Sequence, residues 1–175
     1  RGLSTAAFRA FGLRLGRTLF ASLRRQAGLD SLRLWVSGGG PLSPTTAEFY
    51  EVFGFTIVQG YGMSENGPLI STNTVRYRDN RSVGLPVMYT DVRIHAPDRQ
   101  GIGEIQVRSP SLMKGYYRNE EATREIMTED GYLRTGDLGR IDRRGFLFIT
   151  GRSKNLIVTS GGKNVYPEEI EGCFG

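Results

Sequence analysis

The chain has 175 residues, 38% of them hydrophobic and 23% charged, a globular composition long enough to bury one sizeable core or two small ones. Its net charge of +5 is unevenly placed: residues 1–34 hold seven arginines against the single acid Asp30, and the rest is nearly neutral, with 16 basic and 17 acidic residues. Nucleic acid is therefore not the expected partner, and the lone cysteine, Cys173, excludes an internal disulfide and fits a reducing, cytoplasmic setting. No apolar run approaches the roughly 18 residues of a membrane span, and arginines interrupt every apolar run near the N-terminus, against a signal peptide. The sequence does not open on Met and reads as a fragment.

Residues 4–26 read as one amphipathic helix. Phe8, Phe11, Leu15, Leu19 and Leu23 recur at spacings of three and four on one face, and Arg9, Arg14, Arg17, Arg24 and Arg25 fall on the other, with Leu13 and Phe20 out of pattern. The pattern fits a surface helix of a larger domain, or an interfacial helix in peripheral contact with anionic lipid. Gly28 closes it, and Leu32-Arg33-Leu34-Trp35-Val36 follows as a strand. Ser37-Gly38-Gly39-Gly40-Pro41-Leu42 is glycine-rich but lacks the dinucleotide-binding spacing. Ser43 or Pro44 opens a helix to about Phe53, and Phe55-Thr56-Ile57-Val58 reads as a buried strand. A strand–helix–strand unit implies a parallel pair with a right-handed crossover. The segments at 37–41 and 60–65 then leave one edge of an α/β sheet, where such folds bind ligands.

Beyond Pro68 the chain turns irregular, with a polar surface loop at Tyr77-Arg78-Asp79-Asn80-Arg81. From Asp91 onward short strands alternate: Val92-Arg93-Ile94 and Glu104-Ile105-Gln106-Val107-Arg108 predict a hairpin around Pro97-Asp98 and Gly101-Ile102-Gly103. His95, the only histidine, has no Cys or His neighbour and fits neither a zinc site nor a triad. A short helix at 119–127 has Glu120 and Glu121 at its positive end. Ile141-Asp142-Arg143-Arg144-Gly145-Phe146 predicts a second hairpin turn, with Phe146-Leu147-Phe148-Ile149 returning.

Three stretches carry candidate chemistry. In Gln59-Gly60-Tyr61-Gly62-Met63-Ser64-Glu65, an aromatic plate between two glycines is followed by a hydroxyl and a carboxylate. That set suits a purine, a phosphate and a divalent metal; it also fits a glycine-rich loop with a core tyrosine and a surface glutamate. In Tyr132-Leu133-Arg134-Thr135-Gly136-Asp137 the aspartate has acceptor oxygens enough to hold both hydroxyls of a ribose, or to accept backbone N–H groups in a turn. The third stretch runs from Gly151-Arg152-Ser153-Lys154 to Ser160-Gly161-Gly162-Lys163-Asn164-Val165-Tyr166-Pro167-Glu168-Glu169-Ile170-Glu171.

In this order, from about residue 32 to the end, these motifs resemble the core motifs of the adenylate-forming enzymes, the superfamily of acyl-CoA synthetases, peptide-synthetase adenylation domains and beetle luciferases. Val158-Thr159-Ser160-Gly161-Gly162-Lys163-Asn164-Val165 is most similar to AMP-forming long-chain acyl-CoA synthetases. The resemblance implies ATP, Mg2+, a fatty acid and CoA. It implies that Gly38, Gly39, Gly40 and Pro41 line the nucleotide, with Gly40 where family members often have Ala. Tyr61 would stack on adenine, Ser64 would meet the α-phosphate and Glu65 would bind the metal. Gly60, Gly62 and Met63 would border nucleotide and acyl group. Asp137 and Arg152 would fix the ribose, Lys154 would be the hinge, and Ser160, Gly161 and Gly162 would line the pantetheine channel. Ser111-Leu112-Met113-Lys114-Gly115-Tyr116-Tyr117 matches a family motif of structural role, to which no chemistry is assigned.

The expected architecture is α/β. A partial nucleotide-binding subdomain spans 1–85, with Val83-Gly84-Leu85-Pro86 as the turn into a β-rich subdomain at 86–153. The hinge and start of a small C-terminal domain follow at 154–175. The family's upstream phosphate-holding loop and C-terminal catalytic lysine have no match in these 175 residues, so the isolated chain is expected to be inactive. The expected parent activity is acyl-CoA synthesis through acyl-AMP. The alternatives are a fatty acyl-AMP ligase serving a carrier protein, and a non-catalytic nucleotide-binding remnant.

Overall fold

The computed structural model describes residues 16–159, 164–167 and 170. Residues 4–15 of the expected first helix, Ser160, Gly161, Gly162 and Cys173 lie outside the described residues. Two short helices come first, α1 (Gly16–Leu19) and α2 (Ala21–Gln26), separated at Phe20. Phe20, out of pattern in the sequence, packs against Phe53 with ring centroids 4.7 Å apart.

This segment departs from the expected amphipathic helix. Leu19 and Leu23 are 60% and 49% exposed, whereas Arg24 is 4% exposed. The physical reason is a set of backbone carbonyls beyond the helix. Arg24 donates from Nη1 to Gly54 O at 2.9 Å and from Nη2 to Leu29 O and Leu32 O, both at 3.4 Å, and its guanidinium lies 4.5 Å from the Phe55 ring centroid. A five-donor fork can satisfy three carbonyls at once, which an apolar side chain cannot.

The first sheet has the order β1-β2-β3-β4: β1 (Trp35–Ser37), β2 (Ile57–Gly62), β3 (Leu69–Thr72) and β4 (Leu85–Pro86). Helix α3 (Pro44–Val52) connects β1 to β2, with Pro44 in its first turn where a missing N–H is harmless. The expected parallel pair is present, Ser37 lying opposite Gln59. β2 runs further than expected, through Gly62, because its second half pairs antiparallel with β3. Leu85 and Pro86 are a strand of this sheet, not a turn out of it.

The second sheet is an antiparallel meander, β5 (Asp91–His95), β6 (Gly103–Arg108), β7 (Leu133–Ile141) and β8 (Leu147–Arg152). The hairpin of β5 and β6 has Ile94 opposite Ile105, as the alternation predicts. Helix α4 (Glu120–Ile126) precedes β7, capped by the Asn119 side chain, which accepts from Ala122 N at 3.0 Å. The core lies where the two sheets meet: Tyr61 and Ile70 from the first pack with Ile105, Val107, Leu133 and Leu147 from the second. A smaller cluster joins Ile102 and Leu138 to Leu156 and Tyr166, and a two-stranded ribbon, β9 (Ile157–Val158) with β10 (Asn164–Val165), follows.

Between the sheets the backbone itself is shared. Val83 N donates to Leu147 O at 3.0 Å and Leu147 N donates to Gly84 O at 2.8 Å. Gly84 has φ +93, and a Cβ there would lie 1.9 Å from the Thr72 carbonyl carbon, so only glycine fits. The loop expected to be a polar surface is instead a tether. Arg78 bonds Glu51 of α3 at 2.6 Å, and Asp79 accepts from Arg81 and, at 2.9 Å, from Arg144 in the β7–β8 turn.

Burial raises the Asp79 carboxyl, but the bonds from Arg81 and Arg144 outweigh it and hold the pKa at about 2, below the ordinary 3.8. A depressed folded-state value means the stabilisation is full above about pH 4 and is lost as the pH falls toward 2. Asp79→Asn should therefore lower the urea midpoint at pH 7 and flatten its decline across that window. Parallel pH profiles for the two proteins would refute the assignment.

Candidate nucleotide site

β2 delivers Gly60, Tyr61 and Gly62 to the seam between the sheets, and a 3-10 turn, Ser64–Asn66, follows directly. Gly38 lies against this strand: a Cβ on it would be 3.4 Å from Gly60 O. The glycine-rich turn and the β2 motif are thus neighbours, as the parallel pairing requires. Gly38, Gly39, Gly40 and Pro41 are all exposed. Gln59, buried beneath them, donates from Nε2 to Leu42 O at 3.4 Å and to Asn80 O at 3.2 Å. It ties the end of the glycine turn to the tether loop.

Tyr61 is 9% exposed and belongs to the core. Its hydroxyl donates to Asp137 Oδ2 at 2.6 Å. Burial, and then the charge of Asp137, push the Tyr61 phenol far above its ordinary range, so it stays protonated and remains a donor. Asp137 sits in β7, directly opposite Arg152 of β8 in the antiparallel register. Arg152 Nε reaches Asp137 Oδ1 at 3.1 Å, with its side chain 71% exposed against 12% for the aspartate. Thr135 fixes the turn before it: its hydroxyl donates to Ile105 O at 2.8 Å and accepts from Asp137 N at 3.1 Å. Asp137 is therefore a strand residue at an irregular point of β7, where Gly136 has φ +70.

The structure brings Tyr61, Asp137 and Arg152 together, although 76 residues separate the first two. Ser64 is exposed and Glu65 half-buried in the 3-10 turn. Met63 is half-buried and packs against the core between the sheets. Lys154 is exposed in a second 3-10 turn, Ser153–Asn155, which stands between β8 and β9. Among the described residues no cluster of three or more His, Cys, Asp or Glu is placed to hold a metal ion. Glu65 alone fits a magnesium ion whose remaining positions are filled by phosphate oxygens and water, the usual composition of such sites.

The motif at 111–117 resembles a structural family motif, yet Tyr116 donates its hydroxyl to Glu65 Oε1 at 2.8 Å. That bond raises the Tyr116 phenol above its ordinary range. No local signal marks Tyr116, since its partner lies 51 residues away.

A family model described as AMP-binding enzyme matches residues 5–117. The chain belongs to the AMP-binding, adenylate-forming enzyme family. Among curated relatives, the long-chain-fatty-acid–CoA ligase FadD15 of Mycobacterium bovis is 44% identical over 155 residues, 89% of this chain and 25% of that protein. A feruloyl-CoA synthase of Amycolatopsis is 38% identical over 154 residues, covering 84% of this chain and 31% of that protein. Among solved structures, o-succinylbenzoate coenzyme A synthetase from Bacillus subtilis, in complex with ATP and magnesium ion, aligns with a TM-score of 0.76 at 34% identity, over 90% of this chain and 34% of that one. The chain thus spans about a quarter to a third of the length of these AMP-binding relatives.

Tyr61→Phe keeps the ring and removes only the donor to Asp137. A hydrogen bond to a charged acceptor contributes about 1.5–3 kcal/mol, and Arg152 still holds the other oxygen, so the expected loss of unfolding free energy is about 1.5 kcal/mol. Urea unfolding decides it; an unchanged midpoint would mean that the bond does not tie the sheets.

Proposed function

We propose that the chain is the nucleotide-handling part of an acyl-CoA synthetase that activates a long-chain fatty acid with ATP and passes the acyl group to CoA. The observation that carries the reading is the buried carboxylate of Asp137, held by Tyr61 on one oxygen and by Arg152 on the other. A carboxylate has about four lone-pair sites. One on each oxygen is used by these donors, which leaves one on each for the two hydroxyls of a ribose. Arg152, largely exposed, would extend toward the ribose and phosphates with its planar fork.

Tyr61, 9% exposed, would stack on adenine, and Gly38, Gly39, Gly40 and Pro41 would line the opposite side with backbone. Ser64 would donate to the α-phosphate. Glu65 would hold Mg2+, which when bound neutralises phosphate charge. The acyl carboxylate attacks the α-phosphorus, pyrophosphate leaves, and the CoA thiol then attacks the acyl carbonyl to release AMP. For such a transfer the protein supplies mainly position and electrostatic stabilisation. Gly60, Gly62 and Met63 would border the acyl group. Ser160, Gly161 and Gly162 would line the CoA channel. Residues 1–85 and 86–153 would be parts of the large domain, and 154–175 the start of the small one, turning about Lys154.

An aromatic acid is the second reading of the substrate, favoured by the similarity to the feruloyl-CoA synthase. Pyrophosphate release by the whole protein across a series of aliphatic and aromatic acids separates the two.

Asp137→Ala in the whole protein should weaken ATP binding by at least about tenfold, equivalent to about 1.4 kcal/mol. Calorimetry showing unchanged affinity in a folded variant would remove the ribose assignment. Lys154→Pro fixes φ near −65° and removes an N–H. If the small domain turns here between two half-reactions, acyl-adenylate should still form while acyl-CoA output falls by orders of magnitude. Equal loss in both steps would show a folding defect instead of a hinge.

A further inference from the structure

The 3-10 turn that carries Glu65 is gripped by the segment 109–116, which comes from the far side of the seam. Ser109 Oγ donates to Asn66 Oδ1 at 2.6 Å, while Asn66 Nδ2 donates to Leu69 O at 3.0 Å. Met113 N donates to the Glu65 carbonyl at 2.8 Å. Gly67 closes the turn at φ +62, and a Cβ on it would stand 3.1 Å from Ser111 O. The backbone on both sides of Glu65 is therefore fixed, and only its side-chain torsions remain to be set. A partly exposed glutamate with nothing bonded to its head would be spread over several rotamers.

Tyr116 removes that freedom. Its hydroxyl bonds Oε1 of Glu65, and no other donor among the described residues bonds the Glu65 carboxylate. Tyr116 is itself anchored: its backbone N–H donates to Thr123 Oγ1 at 2.9 Å, and Thr123 Oγ1 donates to Asn119 O at 2.8 Å. Asn119 is the residue that caps α4. A chain of bonds thus runs from the start of α4 through Thr123 and Tyr116 to one oxygen of Glu65. The adjacent Tyr117 is 85% exposed, so the pair of tyrosines is not equivalent.

We propose that Tyr116 is a positioning residue, which holds Oε1 of Glu65 so that Oε2 is presented to the divalent cation of a bound metal–nucleotide complex. This rests on the reading of Glu65 as the metal-facing residue. Groups that hydrogen-bond a metal-ligating carboxylate orient it, and their loss typically weakens metal binding by about 10–100-fold. A merely structural tyrosine would instead affect folding, or nucleotide binding with and without metal alike.

The test is Mn2+ binding by the whole protein, read by electron paramagnetic resonance in the presence of α,β-methylene ATP. Nucleotide affinity is measured separately in chelator. Glu65→Gln and Tyr116→Phe are compared with the unaltered protein. The expected result is a large loss of Mn2+ affinity in Glu65→Gln and about a tenfold loss in Tyr116→Phe, with metal-free nucleotide affinity and thermal midpoint unchanged in the latter. If Glu65→Gln loses Mn2+ while Tyr116→Phe stays within about twofold of the unaltered protein, the positioning role is overturned and the metal reading of Glu65 stands. Equal weakening of metal-free and metal-bound nucleotide in Tyr116→Phe also overturns it. No effect of Glu65→Gln on Mn2+ overturns the metal reading and this inference with it.

Discussion

The hydrogen bond from the Tyr61 hydroxyl to the Asp137 carboxylate is the contact on which the rest of the molecule is arranged. It is buried, short at 2.6 Å, and joins the first sheet to the second. A carboxylate placed there without donors would carry a large desolvation penalty. With Tyr61 on one oxygen and Arg152 on the other, the charge is held at the seam, and under the proposed function its remaining lone pairs would take the ribose hydroxyls. The same two donors therefore make the buried charge tolerable and, on the proposed reading, would also set the site, so a change to either would alter both.

Around that bond, polar links frame the apolar core that joins the two sheets. The backbones at 83–84 and Leu147 exchange hydrogen bonds, Asp79 takes Arg144, and Asn66 takes Ser109. Hydrogen-bonded links specify distance and angle. That suits a site whose parts come from both sides of the seam: Tyr61 and Glu65 from one, Asp137, Arg152 and Tyr116 from the other.

Much of this was legible in the sequence, and the limits are physical. The parallel pair around α3 and the hairpin of β5 and β6 follow from local periodicity and turn residues, and both are present. Tyr61, Asp137 and Arg152 do meet, because a resemblance over several ordered motifs carries spatial information that no single window holds. Partnerships across the seam were not legible. Arg24 looked like a polar-face arginine, yet three carbonyls from beyond its helix draw it inward. Arg78 and Asp79 looked solvated, but their partners lie 27 residues upstream and 65 downstream. Tyr116 fell in a motif read as structural, because its relation to Glu65 exists only after both sheets have formed.

Those long separations have a kinetic consequence. Tyr61 meets Asp137 across 76 residues, Arg144 meets Asp79 across 65, and Tyr116 meets Glu65 across 51. Contacts of this kind are closed late, since the entropy of loop closure must be met before they contribute. During synthesis the β2 motif emerges well before Asp137 and Arg152, and for that interval its tyrosine and glutamate have no partners. A nucleotide cannot guide these early steps. If one binds at the seam as proposed, it can act only on the assembled seam, drawing the last closure toward completion by mass action.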